Sequence, residues 1–339
     1  MKIVYHAALE EGSTSLQRLR SFRAIDGVDV IEHDSTARMT RPATLYQRIR
    51  WRLGWPTDNF RENERLLAFV KATRPDVVFV DNCKVIRRST LRAMRRHGVG
   101  RLVYYSPDDM MNPMNMKWPL RLSLPEWDTV FTTKSFNVAE LRALGARDPR
   151  EIGNAYDPTL HRPLDAVEVG EEFERFDLVF AGASENARRD SINALCEAGF
   201  SVVIYGGDLG NWDPRKLHPL VECRPAAFGP DYARAMHHGK LALCFLRKMN
   251  RDRITTRSIE IPAMARPMLA EKTEEHDAHF VDGVEYAGFL DDDGLIAAAR
   301  KYIGDANARL ELARKGRARC VASGYSSIDR AREMLDAFR

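Results

Sequence analysis

The sequence predicts an α/β protein made of two doubly wound parallel-sheet domains in tandem, and three observations lead there. Short β-rich runs alternate with longer helix-like segments along the chain, the pattern of strands that need a crossover helix before they pair again in parallel. The alternation falls into two series separated by an acidic, proline-containing stretch from Pro158 to Glu174. Finally, 339 residues are too many for one ordinary core and suit two domains of roughly 150 each.

The first series is Ile3–Tyr5, Val28–Glu32, Val77–Val80, Leu102–Tyr105, Thr129–Thr132 and Ile152–Tyr156; the second is Leu178–Ala181, Val202–Tyr205, Leu241–Leu246, Met268–Ala270 and Tyr286–Leu290. The halves share architecture without a close sequence repeat. An apolar fraction of 44% and a charged fraction of 29% are those of a soluble globular protein. No apolar run approaches the ~20 residues that span a bilayer. Met1 leads directly into a strand-like run, with neither a signal nor a transit peptide, so the expected location is the cytoplasm. Cys83, Cys196, Cys223, Cys244 and Cys320 stand singly, which argues against a zinc knuckle or a disulfide framework. The overall charge of +4 is uneven: residues 1–150 hold 26 Lys+Arg against 17 Asp+Glu, or +9, leaving −5 for the rest. The N-terminal half is the one expected to meet an anionic partner.

Ligands of doubly wound sheets lie beyond the carboxyl ends of the strands, so the loops there carry the candidates. After the first strand, Gly12 and Ser13 begin a Gly-Ser-Thr-Ser turn that can present amides to an anion or simply cap a helix. Between Arg38 and Pro56, Arg38, Arg41, Arg48, Arg50 and Arg52 interleave with Leu45, Tyr46, Ile49, Trp51, Leu53 and Trp55. That mixture suits a helix lying on an anionic membrane surface, and equally a solvated basic helix packing its apolar side on the domain. No nucleic-acid recognition module accompanies it. Asp108 and Asp109 follow a buried strand and Pro107, where they can act as base or acceptor ligand, or merely form a turn. Lys134 starts a helix after the fifth strand and faces either a ligand or solvent.

In the second half, Gly182 allows close backbone approach and Arg188 can reach a phosphate bound there. The Gly-x-Gly-x-x-Gly fingerprint of nicotinamide dinucleotide sites is absent. Tyr205 and Gly206 open a Tyr-Gly-Gly-Asp turn at the end of the next strand. His237 and His238 sit at a helix end, where polar or cationic groups favour the dipole. His276 and His279 are a weak ligand pair, and no metal is expected. Lys240 precedes a strand that leads to Asn250–Pro262, the densest segment of the chain. There Asp252 and Glu260 stand eight positions apart among Arg251, Arg253 and Arg257, with Thr256 beside the expected helix start. Carboxylates for ribose and sugar hydroxyls, with guanidinium groups and helix amides for a diphosphate, are what a sugar nucleotide requires.

The chain also resembles GT-B glycosyltransferases of the CgeB-like, spore-maturation type within glycosyltransferase group 1. The resemblance is carried by Tyr104-Tyr-Ser-Pro-Asp-Asp, Thr132-Thr-Lys-Ser-Phe-Asn-Val-Ala-Glu-Leu, Asn154-Ala-Tyr-Asp-Pro-Thr-Leu-His-Arg-Pro, Asn250-Arg-Asp with Thr256-Arg-Ser-Ile-Glu-Ile-Pro-Ala, and Glu271-Lys-Thr-Glu-Glu-His. It implies two Rossmann-like domains facing a cleft: an acceptor-binding domain over 1–160 and a nucleotide-sugar domain over 175–324, with a helix over 325–339 crossing back to the first. Related donor sites carry two glutamates separated by seven residues, and here Asp252 and Glu260 correspond. Glu260 is then the ribose ligand and Asp252 the sugar contact.

The expected function is transfer of a sugar, without metal or cofactor, from a nucleoside-diphosphate sugar to a hydroxyl of a glycan, lipid-linked intermediate or surface polymer. Gly182, Arg188, Tyr205, Gly206, Lys240, Arg251, Thr256, Arg257 and Glu260 form the donor site, with basic groups offsetting the leaving diphosphate. Asp109, Asp108 and Asp252 are the catalytic candidates, and Gly12, Ser13 and Lys134 the acceptor or cleft residues. An inverting enzyme needs Asp109 or Asp108 as base; a retaining one does not. The alternatives are a sugar-nucleotide epimerase and a non-catalytic sugar-nucleotide-binding protein on the same fold.

Overall fold

The computed structural model describes residues 1–35, 44–206 and 212–338. By packing, the chain forms two units, one of Met1–Gly153, Lys248–Asp252 and Ile328–Arg339, the other of Asn154–Arg247 and Arg253–Ser327.

In the first unit β1 (Lys2–Ala7), β2 (Asp29–Asp34), β3 (Val77–Asp81), β4 (Arg101–Ser106), β5 (Thr129–Thr132) and β6 (Pro149–Glu151) form one parallel sheet of order β2-β1-β3-β4-β5-β6. The helices are α1 (Thr14–Arg23), α2 (Leu45–Arg52), α3 (Glu62–Thr73), α4 (Arg88–Arg96), α5 (Trp118–Ser123) and α6 (Ser135–Ala143). All five residues of β3 are buried, as in a strand covered on both faces. The period of two sends Val4, Val78, Val80, Leu102 and Tyr104 to one face with Leu66, Val70, Leu91 and Met94 of α3 and α4. Ile3, Tyr5, Phe79, Val103 and Phe131 go to the other with Leu19 and Phe22 of α1.

The second unit holds β7 (Phe176–Ala181), β8 (Val202–Tyr205), β9 (Val221–Arg224), β10 (Gly239–Cys244), β11 (Met268–Glu271) and β12 (Ala287–Phe289), parallel in the order β12-β11-β10-β7-β8-β9. Its helices are α7 (Ala166–Val169), α8 (Asn186–Glu197), α9 (Gly229–Met236), α10 (Thr256–Ala263), α11 (Glu274–His279), α12 (Asp292–Gly304) and α13 (Ala306–Ala322). Val179, Ala181, Ala242 and Cys244 face Ile259 and Ile261 of α10, while Leu178, Phe180, Leu241 and Leu243 face Ile192 and Leu195 of α8. The last helix, α14 (Ser327–Asp336), belongs from Ile328 onward to the first unit, where Ala331, Met334 and Leu335 join the core and Phe338 lies 6.3 Å from Phe79, ring to ring.

The two orders differ. The second sheet has the dinucleotide-fold order, reversing between β7 and β10; the first has the flavodoxin-like one, reversing between β1 and β3. Two expectations from the sequence need correcting. The run Ile152–Tyr156 is not a strand: β6 ends at Glu151, and Tyr156 makes only a single bridge to Ser326. β9 went unread because Val-Glu-Cys-Arg is a short, half-buried edge with no apolar run.

Candidate functional site

The carboxyl ends of β7 and β10, at the reversal of the second sheet, are where such a fold offers a ligand its crevice. The Gly182 amide donates to the Tyr205 carbonyl at 2.8 Å. At Gly206 φ is +149°, and a Cβ there would lie 2.2 Å from the Gly182 carbonyl oxygen. Gly206 is therefore required by backbone packing at the strand end, whatever binds above it, while a Cβ at Gly182 would come 2.9 Å from the Phe180 ring.

Arg188, in the first turn of α8, is buried and donates from Nη1 to the Ala183 carbonyl at 3.1 Å. Burial, and then the charges of Arg257 and Arg247, push its guanidinium below the ordinary arginine value, against the opposing pull of Glu185. Three arginines thus converge where the neighbouring acids only partly offset them, an arrangement suited to an anion.

The start of α10 is held by reciprocal capping between Thr255 and Ser258. Ser258 Oγ in turn lies 2.7 Å from His276 Nε2, and His276 Nδ1 lies 2.8 Å from the Glu271 carbonyl. A carbonyl only accepts, so Nδ1 carries the proton and Nε2 accepts from the hydroxyl. Burial pushes this imidazole down to about 4, and His276 is a neutral strut for the helix. Thr256 Oγ1 donates to Asn154 Oδ1 at 3.2 Å. Glu260 is buried, with His161 Nε2 at 3.6 Å from Oε1. Because His161 Nδ1 accepts the Asp157 amide at 2.9 Å, the neutral ring turns its N–H toward Glu260. The Tyr232 ring stands edge-on to His161 at 5.8 Å. Its phenol is pushed well above the ordinary value by burial and then by Glu260.

Around this helix start, Asn154 Nδ2, Arg188 Nε, Tyr232 Oη and Arg257 Nε are buried and find no hydrogen-bond partner among the described residues. Leaving such a group unpaired costs on the order of 1–3 kcal/mol, and all four can donate, which suits a partner rich in acceptor oxygens. Asn154, His161, Tyr232 and Arg247 were not singled out from sequence. The first two stand in the Asn154–Pro163 motif, whose part in the family resemblance was the available signal; Tyr232 had none.

Several expected donor residues are engaged elsewhere. Lys240 lies near the amino end of β10, paired with Asp177 at 2.9 Å. It is a strand's length from the carboxyl edge, so it does not belong with Arg188 and Arg257. The Tyr205 hydroxyl is committed to His238 Nδ1 at 2.5 Å and to Arg224 at 2.8 Å. His237, expected as a polar or cationic helix end, is buried and pushed down to about 4, with Nδ1 2.7 Å from the Ala233 carbonyl and Nε2 accepting the Leu164 amide.

The segment Asn250–Pro262 is divided: Lys248–Asp252 pack in the first unit, Arg253 onward in the second. Arg251, read as a diphosphate ligand, instead grips Asp109 through Nε at 2.6 Å and Nη2 at 2.7 Å, and Glu140 at 3.0 Å. Its backbone is left-handed at φ +47°, a conformation these bonds have to hold. Burial opposes the Asp109 charge, but bonds from Arg251 and Asn137 outweigh it and hold the carboxyl below the usual carboxylate range. That is a settled anion, ill suited to take a proton. Asp252, read as the sugar contact, accepts from Lys134 at 2.6 Å and from Asn250 at 2.8 Å, and both partners of the ion pair are buried. Lys134 is therefore turned to Asp252. Asp108 is half-buried, and its carboxylate makes no hydrogen bond among the described residues. Ser13 caps α1 by accepting the Leu16 amide, and Gly12 supplies the turn at φ +79°. Gly207, Asp208, Arg38 and Arg41 lie outside the described residues.

Among the described residues, His6, His33 and Glu62 alone bring three ligand-type atoms together. The two Nδ1 atoms are 2.9 Å apart, a distance at which one ring donates to the other, with Glu62 at 3.8 and 3.6 Å. His276 Nε2 is taken up by Ser258, so the weak His276–His279 pair does not offer two ligand nitrogens.

Two sheets of this kind define a GT-B-type α/β fold, and solved structures agree. The chain is similar to HepE (Alr3699) from Anabaena in complex with UDP and glucose, at 13% identity over 99% of each chain with a TM-score of 0.67. Sucrose-phosphate synthase from Thermosynechococcus elongatus matches at 13% identity over 100% of this chain and 98% of that one, TM-score 0.69. A putative UDP-N-acetylglucosamine 2-epimerase from Listeria monocytogenes matches at 13% identity over 99% and 95%, TM-score 0.62. More particularly, residues 188–336 match the model of a family described as glycosyl transferase-like. That span takes in α8 from Arg188 onward, α10, Arg247 and Arg257. No curated protein matches the chain by sequence.

Proposed function

We propose that the protein is a glycosyltransferase that binds a nucleoside-diphosphate sugar at the start of α10 and moves the sugar to a hydroxyl of a glycan, lipid-linked or polymer acceptor, with no metal in the step. The carrying observation is the set of buried groups left unpaired there, Asn154 Nδ2, Arg188 Nε, Tyr232 Oη and Arg257 Nε, beside the buried carboxylate of Glu260. Arg188 and Arg257 hold the diphosphate and offset the charge that develops on it, the task a metal performs in other transferases. Glu260, aligned by His161, holds the ribose hydroxyls. Thr256 and Asn154 line the same helix start. An inverting transfer would take Asp108 as its base, since the Asp109 oxygens are occupied by Arg251. The narrower placement among CgeB-like enzymes is part of the same reading.

The UDP in the HepE complexes supports testing UDP first. Calorimetric titration with UDP should give saturable binding that Glu260→Ala weakens roughly tenfold or more while the far-UV spectrum is unchanged. Equal affinity in that variant would remove the ribose assignment. Transfer surviving a chelator would support the metal-free step. Epimerisation is the second reading, favoured by the match to the putative 2-epimerase. Incubation of a UDP-sugar without acceptor separates the two: an epimerase returns an isomeric UDP-sugar, a transferase does not.

A further inference from the structure

The helix α2 is turned inside out. An amphipathic helix on a soluble domain puts its apolar stripe inward, yet none of the eight residues of α2 is buried. Leu45, Ile49 and Leu53, one helical stripe, are exposed at 66%, 48% and 65%. The half-buried residues are instead Gln47, Arg50, Trp51 and Gly54, with Arg50 Nε donating to the Trp55 carbonyl at 3.1 Å.

This outward stripe is fixed rigidly to a second one. Buried Lys117 donates to the Trp51 carbonyl at 3.0 Å and the Pro113 carbonyl at 2.9 Å. The Trp118 amide donates to the Gly54 carbonyl at 2.8 Å, and Trp118 stacks on Trp55 at 6.0 Å. Gly54 has no room for a side chain, because a Cβ would come within 2.9 Å of the Trp118 ring. Trp118 and Leu122 of α5 are themselves 46% and 48% exposed. Between the two segments lies an open pocket of about 320 Å³, lined by Leu53, Gly54, Met116 and Trp118 with Arg52 and Arg121. The charges have one sign: no acid occurs in Thr44–Thr57 or in Met110–Pro125, which hold Arg48, Arg50, Arg52 and Arg121.

We propose that this face is a docking surface for a bilayer rich in anionic lipid. Leu45, Ile49, Leu53 and Trp118 enter the interface, an apolar part of one lipid occupies the pocket, and the arginines meet the phosphates. Burying apolar side chains while basic ones stay at headgroup depth is the physics of an interfacial helix. The single sign of charge selects an anionic surface over a protein groove of mixed charge. Among the described residues no helix is long and apolar enough to cross a membrane, so attachment of this kind is peripheral.

The test is co-sedimentation of the whole chain with phosphatidylcholine vesicles made with and without phosphatidylglycerol. Binding is expected only with the anionic lipid and should weaken as salt rises. Arg48→Glu with Arg52→Glu should lower it by about 25-fold or more, at roughly fivefold per positive charge removed. Leu45→Glu with Ile49→Glu should abolish it. UDP affinity and the far-UV spectrum are read on the same variants, so failure of the donor-site proposal stays separate from failure of this one. Absence of binding to anionic vesicles, or equal binding by both double variants, would overturn the proposal. So would a dimer in sedimentation velocity that Ile49→Glu dissolves, since the face would then belong to a second copy of the chain.

Discussion

Charged groups are paired more completely in the first unit than around α10 of the second. In the first, charged side chains close on each other: Arg18 with Asp81, Lys134 with Asp252, Arg251 with Asp109. Tyr5 adds a hydrogen bond to Asp81 at 2.6 Å, and the Arg18 guanidinium lies 3.7 Å from the centre of the Tyr105 ring. In the second unit, the groups around α10 close only in part, with Arg188 and Arg247 sharing Glu185 at 3.7 and 3.4 Å. Arg188 is depressed by burial and then by the arginines near it, and Asn154, Tyr232 and Arg257 each leave a polar atom unpaired among the described residues. A closed pair needs nothing more and fixes geometry; a cluster whose basic groups outnumber the acids beside them favours a further anionic partner. The contrast is the ground for proposing a structural role for the first set and ligand binding for the second.

That contrast can be broken. Arg188→Ala and Arg257→Ala should each weaken UDP binding by roughly 10- to 100-fold, the worth of a charge-assisted hydrogen bond, without lowering the melting temperature of the free protein. A lower melting temperature with unaltered UDP affinity would make these arginines structural. Next in size is an acid effect in the second unit. His237 and His276 are pushed down to about 4 from an ordinary 6.5. The unfolded chain therefore takes up these protons first, and the stability they contribute is complete above pH 6.5 and lost as pH falls toward 4. Each accounts for at most about 3 kcal/mol, and His276→Gln should flatten that slope in urea denaturation.

Smaller still is Asp109→Asn. It leaves Arg251 with Glu140 alone and should cost about 1–2 kcal/mol, because Arg251 is nearly half exposed and screened. UDP affinity should not change; a loss there would return Asp109 to the ligand site. Smallest is Lys240→Ala, expected to cost under about 1 kcal/mol for a partly exposed pair and to leave UDP affinity within about twofold. A large loss would show that its place near the amino end of β10 does not separate it from the ligand.

Much of this was legible in the residues alone. The alternation of β-rich and helix-like runs located eleven expected strands, and ten lie on observed ones, because a strand buried on both faces must be a short apolar run. Asn250–Pro262 and the strand-end glycines were visible for the same reason: special composition has to be local. What escaped was whatever depended on distance through space. Arg251 and Asp109 are 142 positions apart, and Lys134 and Asp252 are 118; nothing in either neighbourhood states that one will neutralise the other.

The sequence by itself determined two parallel α/β layers and a segment rich in arginine and acid, because hydrophobic period and helix-start chemistry are written residue by residue. Only the tertiary structure decided which of those charges are spent on each other, which are left partly unmatched, and which way α2 turns its leucines. Pairing and facing are properties of neighbours that the fold brings together, and the energy of a charge is set by those neighbours more than by its own side chain.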